Sequence, residues 1–598
     1  MSNGPTILDI PPLPAGETAS LSARQGNGPV VEWLQSPFAF VLLCALGALP
    51  LAFTAMPPLI DLGGHLGRYA IQVDGGASAT LRQWYSYRWS LIPNLGVDLL
   101  MQVLAPWLGL EPALKLIVVA IPVVQIAGWL LLARAVHGYV PPTALFTVPL
   151  AYSYPFHYGF LNFTLSVALA TCFLALWVTL ANREGANREG ANRDGLWLRW
   201  VIFVPLACVL WVAHLAGWAM FCVLAAADEA WRLRSKGLGK LHGREFARAA
   251  FRSMILLCCL LAPWLLKLLW PGPSAAHTGT KLFVYAPLSI KVKLFYLIMP
   301  VRDRWAIWDV VAALVIFGII GWGWSSRRFT RNGGLVLAAV CLALLFAIMP
   351  DELIGSSFAD MRLVPTMLAV GLIAASPLVA SPLVASPLAV SPPVHRRAIS
   401  RPRVFRHPRL VEGLTIAGLV FAGARLTGNG VSMTLFDRQF SQDLAALEAI
   451  PRNTRFVSLV VEACHTTYAT WNRERRGHLA GYAIGRRHDF SNDQWNIPGQ
   501  QLLQVHNPAA GEFASDPSQM TTAQACEDKP AMMQLVGRIP MTTRYLWLLD
   551  SGPHRAIPGW HPIQFSTDSM VYLRNSFDRQ TIATATAASA LVPRYDRQ

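Results

Sequence analysis

Long apolar runs recur along the first 428 residues, separated by short polar loops. An α-helix rises about 1.5 Å per residue, so roughly 20 apolar residues cross the ~30 Å hydrocarbon core of a bilayer. By that measure the chain reads as eleven spans: 38–56, 113–133, 142–156, 159–181, 197–212, 215–231, 253–270, 306–324, 335–350, 363–380 and 411–428. The apolar stretch 197–231 is too long for one helix and predicts a tight hairpin. Residues 94–108 are apolar but carry Asp98 and Pro106, which predicts an interfacial or re-entrant helix.

After residue 428 the pattern changes. RFVSLVVEA (455–463), RYLWLLD (544–550) and FSTDSMVYLRN (565–575) read as strands, and SQDLAALEAI (441–450) as a helix capped by Ser441. The expected fold is a mainly α polytopic membrane protein, with about 11 transmembrane helices and a C-terminal α/β soluble domain. The expected organisation is a disordered cytoplasmic N-terminus (1–37), a multi-span membrane domain (38–428), a periplasmic α/β domain (429–578) and a flexible tail (579–598).

Composition agrees with lipid as the solvent. The chain is 54% hydrophobic and 14% charged, against roughly 25% charged in soluble domains. Its formal net charge of +16 would suggest nucleic acid in a soluble protein. Here the cations lie in short loops between apolar runs: Arg134 with His137, then 182–199, 232–252, 327–331 and the arginine-dense 395–409. That arrangement points to topology and membrane lipids, with no nucleic acid. All these loops fall on one side only with eleven spans and a cytoplasmic N-terminus, which leaves the C-terminal domain outside. Seven of the nine cysteines sit in apolar runs; Cys464 and Cys526 are the tail's pair and candidates for a disulfide in an oxidising compartment. Two five-residue repeats, at 181–195 and 376–393, read as tolerated loop expansions.

With this topology the outer loops hold the candidate chemistry. Asp61, His65, Arg68 and Tyr69 follow the first span in DLGGHLGRY, spaced to share a helix face. The paired glycines leave room for a ligand or another backbone to approach closely. His157 lies between two spans, and His214 at the turn of the proposed hairpin. Arg302 and Arg304 follow in the long loop 271–305, and Asp351, Glu352, Asp360 and Arg362 in PDELIGSSFADMRLVP. Each has a plain structural alternative: acids cap helix starts, histidines pack at interfaces, and near-membrane charges pair with each other. A carboxylate at the membrane boundary, as at Asp61, is a functional candidate by default.

The architecture, Asp61 in D-L-G-G-H-L-G-R and the late loop S-S-F-A-D-M-R-L-V-P together resemble the GT-C class of polyprenyl-phosphate-sugar-dependent membrane glycosyltransferases. The resemblance covers roughly residues 38–428, and the first loop carries a single acid before His65 where several members carry a pair. It implies an inverting transfer of a sugar from a polyprenyl-phosphate donor to a glycan or lipid acceptor, at the outer face of a bacterial inner membrane. In that reading Asp61 is the base, oriented by His65, and Arg68, Arg302 and Arg362 hold the lipid phosphate. Tyr69, Arg304, His157, His214, Asp351, Glu352 and Asp360 complete the substrate surface. No cofactor is certain; a divalent metal would find hard ligands in Asp61, His65, Asp351 and Glu352. Two other classes suit the same architecture: a transporter or flippase of a lipid-linked glycan, and an assembly protein with a soluble interaction domain.

Overall fold

The computed structural model describes residues 28–186, 194–237, 243–270, 283–285, 289–353, 356–379, 405–464, 470–497, 501–526, 529–550, 552 and 556–575. Residues 187–193 of the first five-residue repeat, most of the second, the arginine-dense run to residue 404 and the 579–598 tail lie outside the described residues.

Helix α1 (Pro37–Leu46) opens at Ser36, whose hydroxyl accepts from the Ala39 amide. It ends at Gly47, and the chain resumes as Leu49–Ala52. Pro50 explains the break: it has no amide to donate, and its ring clashes with the carbonyl four residues back. The expected span 38–56 is therefore two short pieces.

Then come α2 (Leu62–Asp74), α3 (Gly96–Leu108), α4 (Leu110–His137), α5 (Leu161–Ala186), α6 (Asp194–Ala213), α7 (Leu215–Gly237) and α8 (Gly243–Cys258). They are followed by α9 (Ala306–Ser325), α10 (Gly333–Ile348), α11 (Val364–Ala374) and α12 (Pro408–Ala445). Among the described residues, six helical stretches are long and apolar enough to cross a membrane: 110–137, 161–183, 196–213, 243–269, 306–325 and 408–449. The chain is a multi-pass membrane protein, and not every one of the about eleven expected spans is a long helix among the described residues. Several apolar runs form helices of 10–17 residues. The run 142–156 becomes a wholly buried 3-10 helix, Pro142–Tyr152. Pro149 removes a helical donor there, and a 3-10 helix covers about 2.0 Å per residue, so eleven residues reach roughly 22 Å.

The expected hairpin is present, with α6 and α7 turning at His214. Leu268, Ile307, Leu344 and Val420 are exposed on the outside of the bundle. In water such a surface would aggregate; in lipid it is matched to its solvent. Helix α12 runs unbroken for 38 residues, about 57 Å. It passes through the expected domain boundary at 428/429 and carries the chain beyond the hydrocarbon.

The C-terminal part is a five-stranded mixed sheet. Its strands are β1 (Phe456–Glu462), β2 (Met520–Thr522), β3 (Tyr545–Leu549), β4 (Trp560–Phe565) and β5 (Ser569–Arg574). The spatial order is β4-β5-β3-β1-β2, with β1 parallel to β2 and β3 and the β5 pairings antiparallel. The expected late strand at 565–575 is the turn and second arm of the β4–β5 hairpin. Alternation along β1 sorts its two faces. Val457 and Leu459 join Met532 and Leu535 of a short covering helix, Met532–Arg538, and Ile539 just after it. Phe456 and Val460 join Trp547, Leu549 and the core that continues into the membrane bundle. Cys464 and Cys526, just beyond the parallel neighbours β1 and β2, are joined with their Cα atoms 6.1 Å apart.

Buried polar bonds seat this unit on the bundle. Arg475 reaches Asp303 at 2.5 Å and the Pro58 carbonyl at 3.0 Å. Trp471 donates to Asp309 at 2.7 Å, and Arg425 holds the other oxygen of Asp309. Arg302 donates to the carbonyls of Thr470 and Trp471.

Candidate functional site

Asp61 is the N-cap residue of α2, yet its side chain does not cap the helix. Its amide donates to the Tyr158 carbonyl at 2.9 Å, which ties the helix start to the 154–159 segment. The carboxylate points instead toward the C-terminal unit, where His478 Nε2 lies 3.9 Å away. The same Nε2 lies 3.7 Å from Asp516, so the imidazole stands between two carboxylates. His478 Nδ1 sits 2.8 Å from the Asp493 carbonyl, which can only accept, so Nδ1 carries the proton and Nε2 is the titrating nitrogen. Trp495 packs on this ring at 4.3 Å between centroids.

Glycines make the meeting of distant segments feasible. Helix α13 (Gly481–Arg487) crosses α2 directly. A Cβ at Gly63 would lie 2.1 Å from the His478 carbonyl oxygen, and one at Gly481 2.1 Å from the Gly63 carbonyl oxygen. A Cβ at Gly64 would meet the Trp495 ring at 2.7 Å. Of the two occupants that the glycine pair suggests, another backbone is the one present.

Burial pushes the Asp61 carboxyl up to about 6; His478, Arg473 and Arg362 pull it down and Asp516 pushes it further up. Burial alone would lower the His478 imidazole, but Asp516, Asp61 and Asp493 outweigh it and raise the group. Asp61 therefore combines ionisation at neutral pH with substantial basicity.

Two arginines whose charge Asp61 feels complete the cluster. Arg362 stacks on Phe160 at 3.9 Å and donates to the Ser357 carbonyl. Arg473 stacks on Tyr158 at 4.7 Å and reaches the Tyr154 hydroxyl at 3.5 Å. The Nε of each is buried without a hydrogen-bond partner among the described residues. Neither forms an ion pair within 4.0 Å there, in contrast to Arg475, Arg476 and Arg425. A buried cation, Arg362, and a half-buried one, Arg473, neither with a carboxylate within 4.0 Å among the described residues, lie near one carboxylate, an arrangement that an anion would complete.

Among solved structures, the fold is similar to that of ArnT from Cupriavidus metallidurans. The likeness to its crystal structure bound to undecaprenyl phosphate has 13% identity and a TM-score of 0.44, covering 90% of this chain and 96% of that one. For the same protein in the apo state the values are 12%, 0.40, 90% and 97%. No family model matches the sequence, and no curated protein matches it.

The other sequence candidates are distributed around this cluster. His65 Nε2 donates to the Gly159 carbonyl at 3.1 Å, leaving Nδ1 buried without a hydrogen-bond partner among the described residues, and burial with Arg68 holds the ring neutral. Arg68 pairs with Asp98 at 3.1 Å and donates to Tyr69. Both are thereby engaged in joining α2 to α3. His157 accepts from Arg475 at 3.3 Å, near Asp303. Arg302 holds the 470–471 backbone, and Arg304 stacks on Phe436 at 4.7 Å. His214 accepts from the Ala216 amide, with Arg362 close enough to lower its basicity after burial. Asp351 accepts from Tyr296, Asp360 pairs with Lys293 at 2.7 Å, and Glu352 lies in a two-residue strand paired with Phe283–Val284. Among the described residues, no group of three or more His, Cys, Asp or Glu converges where it could hold a metal ion.

His478, Asp516, Arg473 and Trp495 were not singled out by the sequence as site residues. One signal was available: WNRERRGH (471–478) puts three arginines and a histidine in eight residues. In an exposed loop that run is a solvated face; here Arg475, Arg476 and His478 are buried.

Proposed function

We propose that this protein transfers a sugar from a polyprenyl-phosphate carrier to an acceptor hydroxyl, with Asp61 as the general base. One observation carries the reading: a buried carboxylate raised to about 6 shares its surroundings with two arginines that form no close carboxylate pair among the described residues. A base works best with a pKa near the operating pH. A departing phosphate requires fixed positive charge in a site sheltered from water.

The acceptor hydroxyl gives its proton to Asp61 as its oxygen bonds to the anomeric carbon. The bond from that carbon to the phosphate oxygen breaks, and the lipid phosphate leaves with the electron pair toward Arg362 and Arg473. A single displacement inverts the anomeric centre. His478 acts through Asp61: its charge holds the carboxylate ionised and its ring fixes the approach. The outer membrane face, the inner membrane of a bacterium and the periplasmic setting of the C-terminal unit belong to the same proposal.

The reading is tested with polyprenyl phosphate, the leaving group, as a ligand. R362Q and R473Q are each expected to weaken its binding by about tenfold or more, as loss of a charge-assisted phosphate contact would. Unchanged affinity in both variants contradicts the assignment.

The pH profile supplies a second check. Asp61 must be deprotonated to act, so kcat/KM should fall as pH drops through about 6. His478 is the strongest influence lowering the Asp61 pKa. H478Q should therefore move the acidic limb to higher pH, and a limb that stays in place would rule out the coupling.

A further inference from the structure

We propose that the hollow between the far ends of α4 and α5 seats the headgroup of an anionic phospholipid. Helix α5 starts beside Gly159, the residue whose carbonyl meets His65. Arg183 lies 22 residues beyond Leu161 in that helix, about 33 Å along its axis and so about one hydrocarbon thickness from the Asp61 end. There Leu131, Arg134, Ala135, Thr179, Asn182 and Arg183 line a hollow of about 470 Å³.

Its chemistry is ordered as a phospholipid is. Arg134 and Arg183 are exposed and form no ion pair among the described residues. Asn182 donates to the Ala135 carbonyl at 2.9 Å, bridging the two helices. On the hydrocarbon side, Leu131 and Leu176 are exposed. A phosphate placed between the guanidinium groups would leave its acyl chains along those leucines. Arginine in the last turn of a helix also complements the helix dipole. The dipole, however, calls for no cavity shared by two helices, and basic pockets between spanning helices favour anionic headgroups.

The test is retention of phosphatidylglycerol against phosphatidylcholine by the full-length protein, read by native mass spectrometry from mixed-lipid nanodiscs. The wild type should retain phosphatidylglycerol in preference. R134Q/R183Q should weaken its retention on the order of thirtyfold, two phosphate contacts being lost. A135W keeps both charges but fills the hollow, and should weaken it as well. D61N should retain the lipid as the wild type does, so this result stands apart from the transferase reading. Absence of a preference in the wild type, or full retention in either hollow variant, overturns the proposal.

Discussion

D61N should abolish sugar transfer while leaving the protein at least as stable as the wild type. Removal of a general base costs about 10²- to 10⁴-fold in rate. Asparagine keeps the size of the side chain and removes its charge, so the packing against Tyr158 and His478 survives. The stability side has a definite sign. The Asp61 pKa is about 6 in the fold against 3.8 for the free side chain, so folding disfavours the ionised form. That cost is absent below about pH 4, grows as pH rises, and is complete above about pH 6 at up to about 3 kcal/mol. D61N relieves it, and the melting temperature at neutral pH should stay level or rise. Loss of activity together with loss of stability would instead make Asp61 a structural residue. The trade of stability for a strained functional group is a familiar pattern at active sites.

G63V should separate the C-terminal unit from α2 and remove activity as completely as D61N, by a different route. The added Cβ would lie 2.1 Å from the His478 carbonyl oxygen and 2.9 Å from its carbon. Both are backbone atoms, and they cannot rotate away as a flexible side chain could. Relief requires α13 to move off α2, which takes His478, Arg473 and Trp495 with it. The expected signature is faster proteolysis of the C-terminal unit, with a membrane bundle that still inserts. Gly413 is the control: it lies in α12 and a Cβ there meets nothing within 4 Å. G413A should be neutral or stabilise slightly, since alanine is favoured over glycine in a helix interior by about 1 kcal/mol. An active, protease-resistant G63V would remove the case for a composite site.

Local chemistry was legible in the sequence wherever a short segment decides its own structure. The strand read at 455–463 appears as Phe456–Glu462, and that at 544–550 as Tyr545–Leu549. Both are short apolar runs rich in β-branched or aromatic residues, bounded by polar ones. The α6–α7 turn at His214 followed from length alone. Apolar runs with proline were less legible, because hydropathy counts Pro50 and Pro149 by composition and not by their missing donors. Polar residues after 428 end a hydrophobic run, but they do not end helix α12, which continues to Ala445.

For the proposed site, the sequence pointed to Asp61 as a candidate through its expected position at a membrane boundary. It could not supply the partners, since His478 and Arg473 come from a segment far along the chain. Sequence spacing also grouped Asp61, His65 and Arg68 on one helix face. In the fold each of these turns to a different neighbour: His478, the Gly159 carbonyl and Asp98.

The most direct measurement of the central claim is a cryo-EM map of the protein incubated with polyprenyl phosphate. The account predicts phosphate density between Arg362 and Arg473, beside Asp61, with His478 in place behind the carboxylate. Lipid density running through the bundle away from these residues, with nothing beside Asp61, would contradict it and favour a flippase.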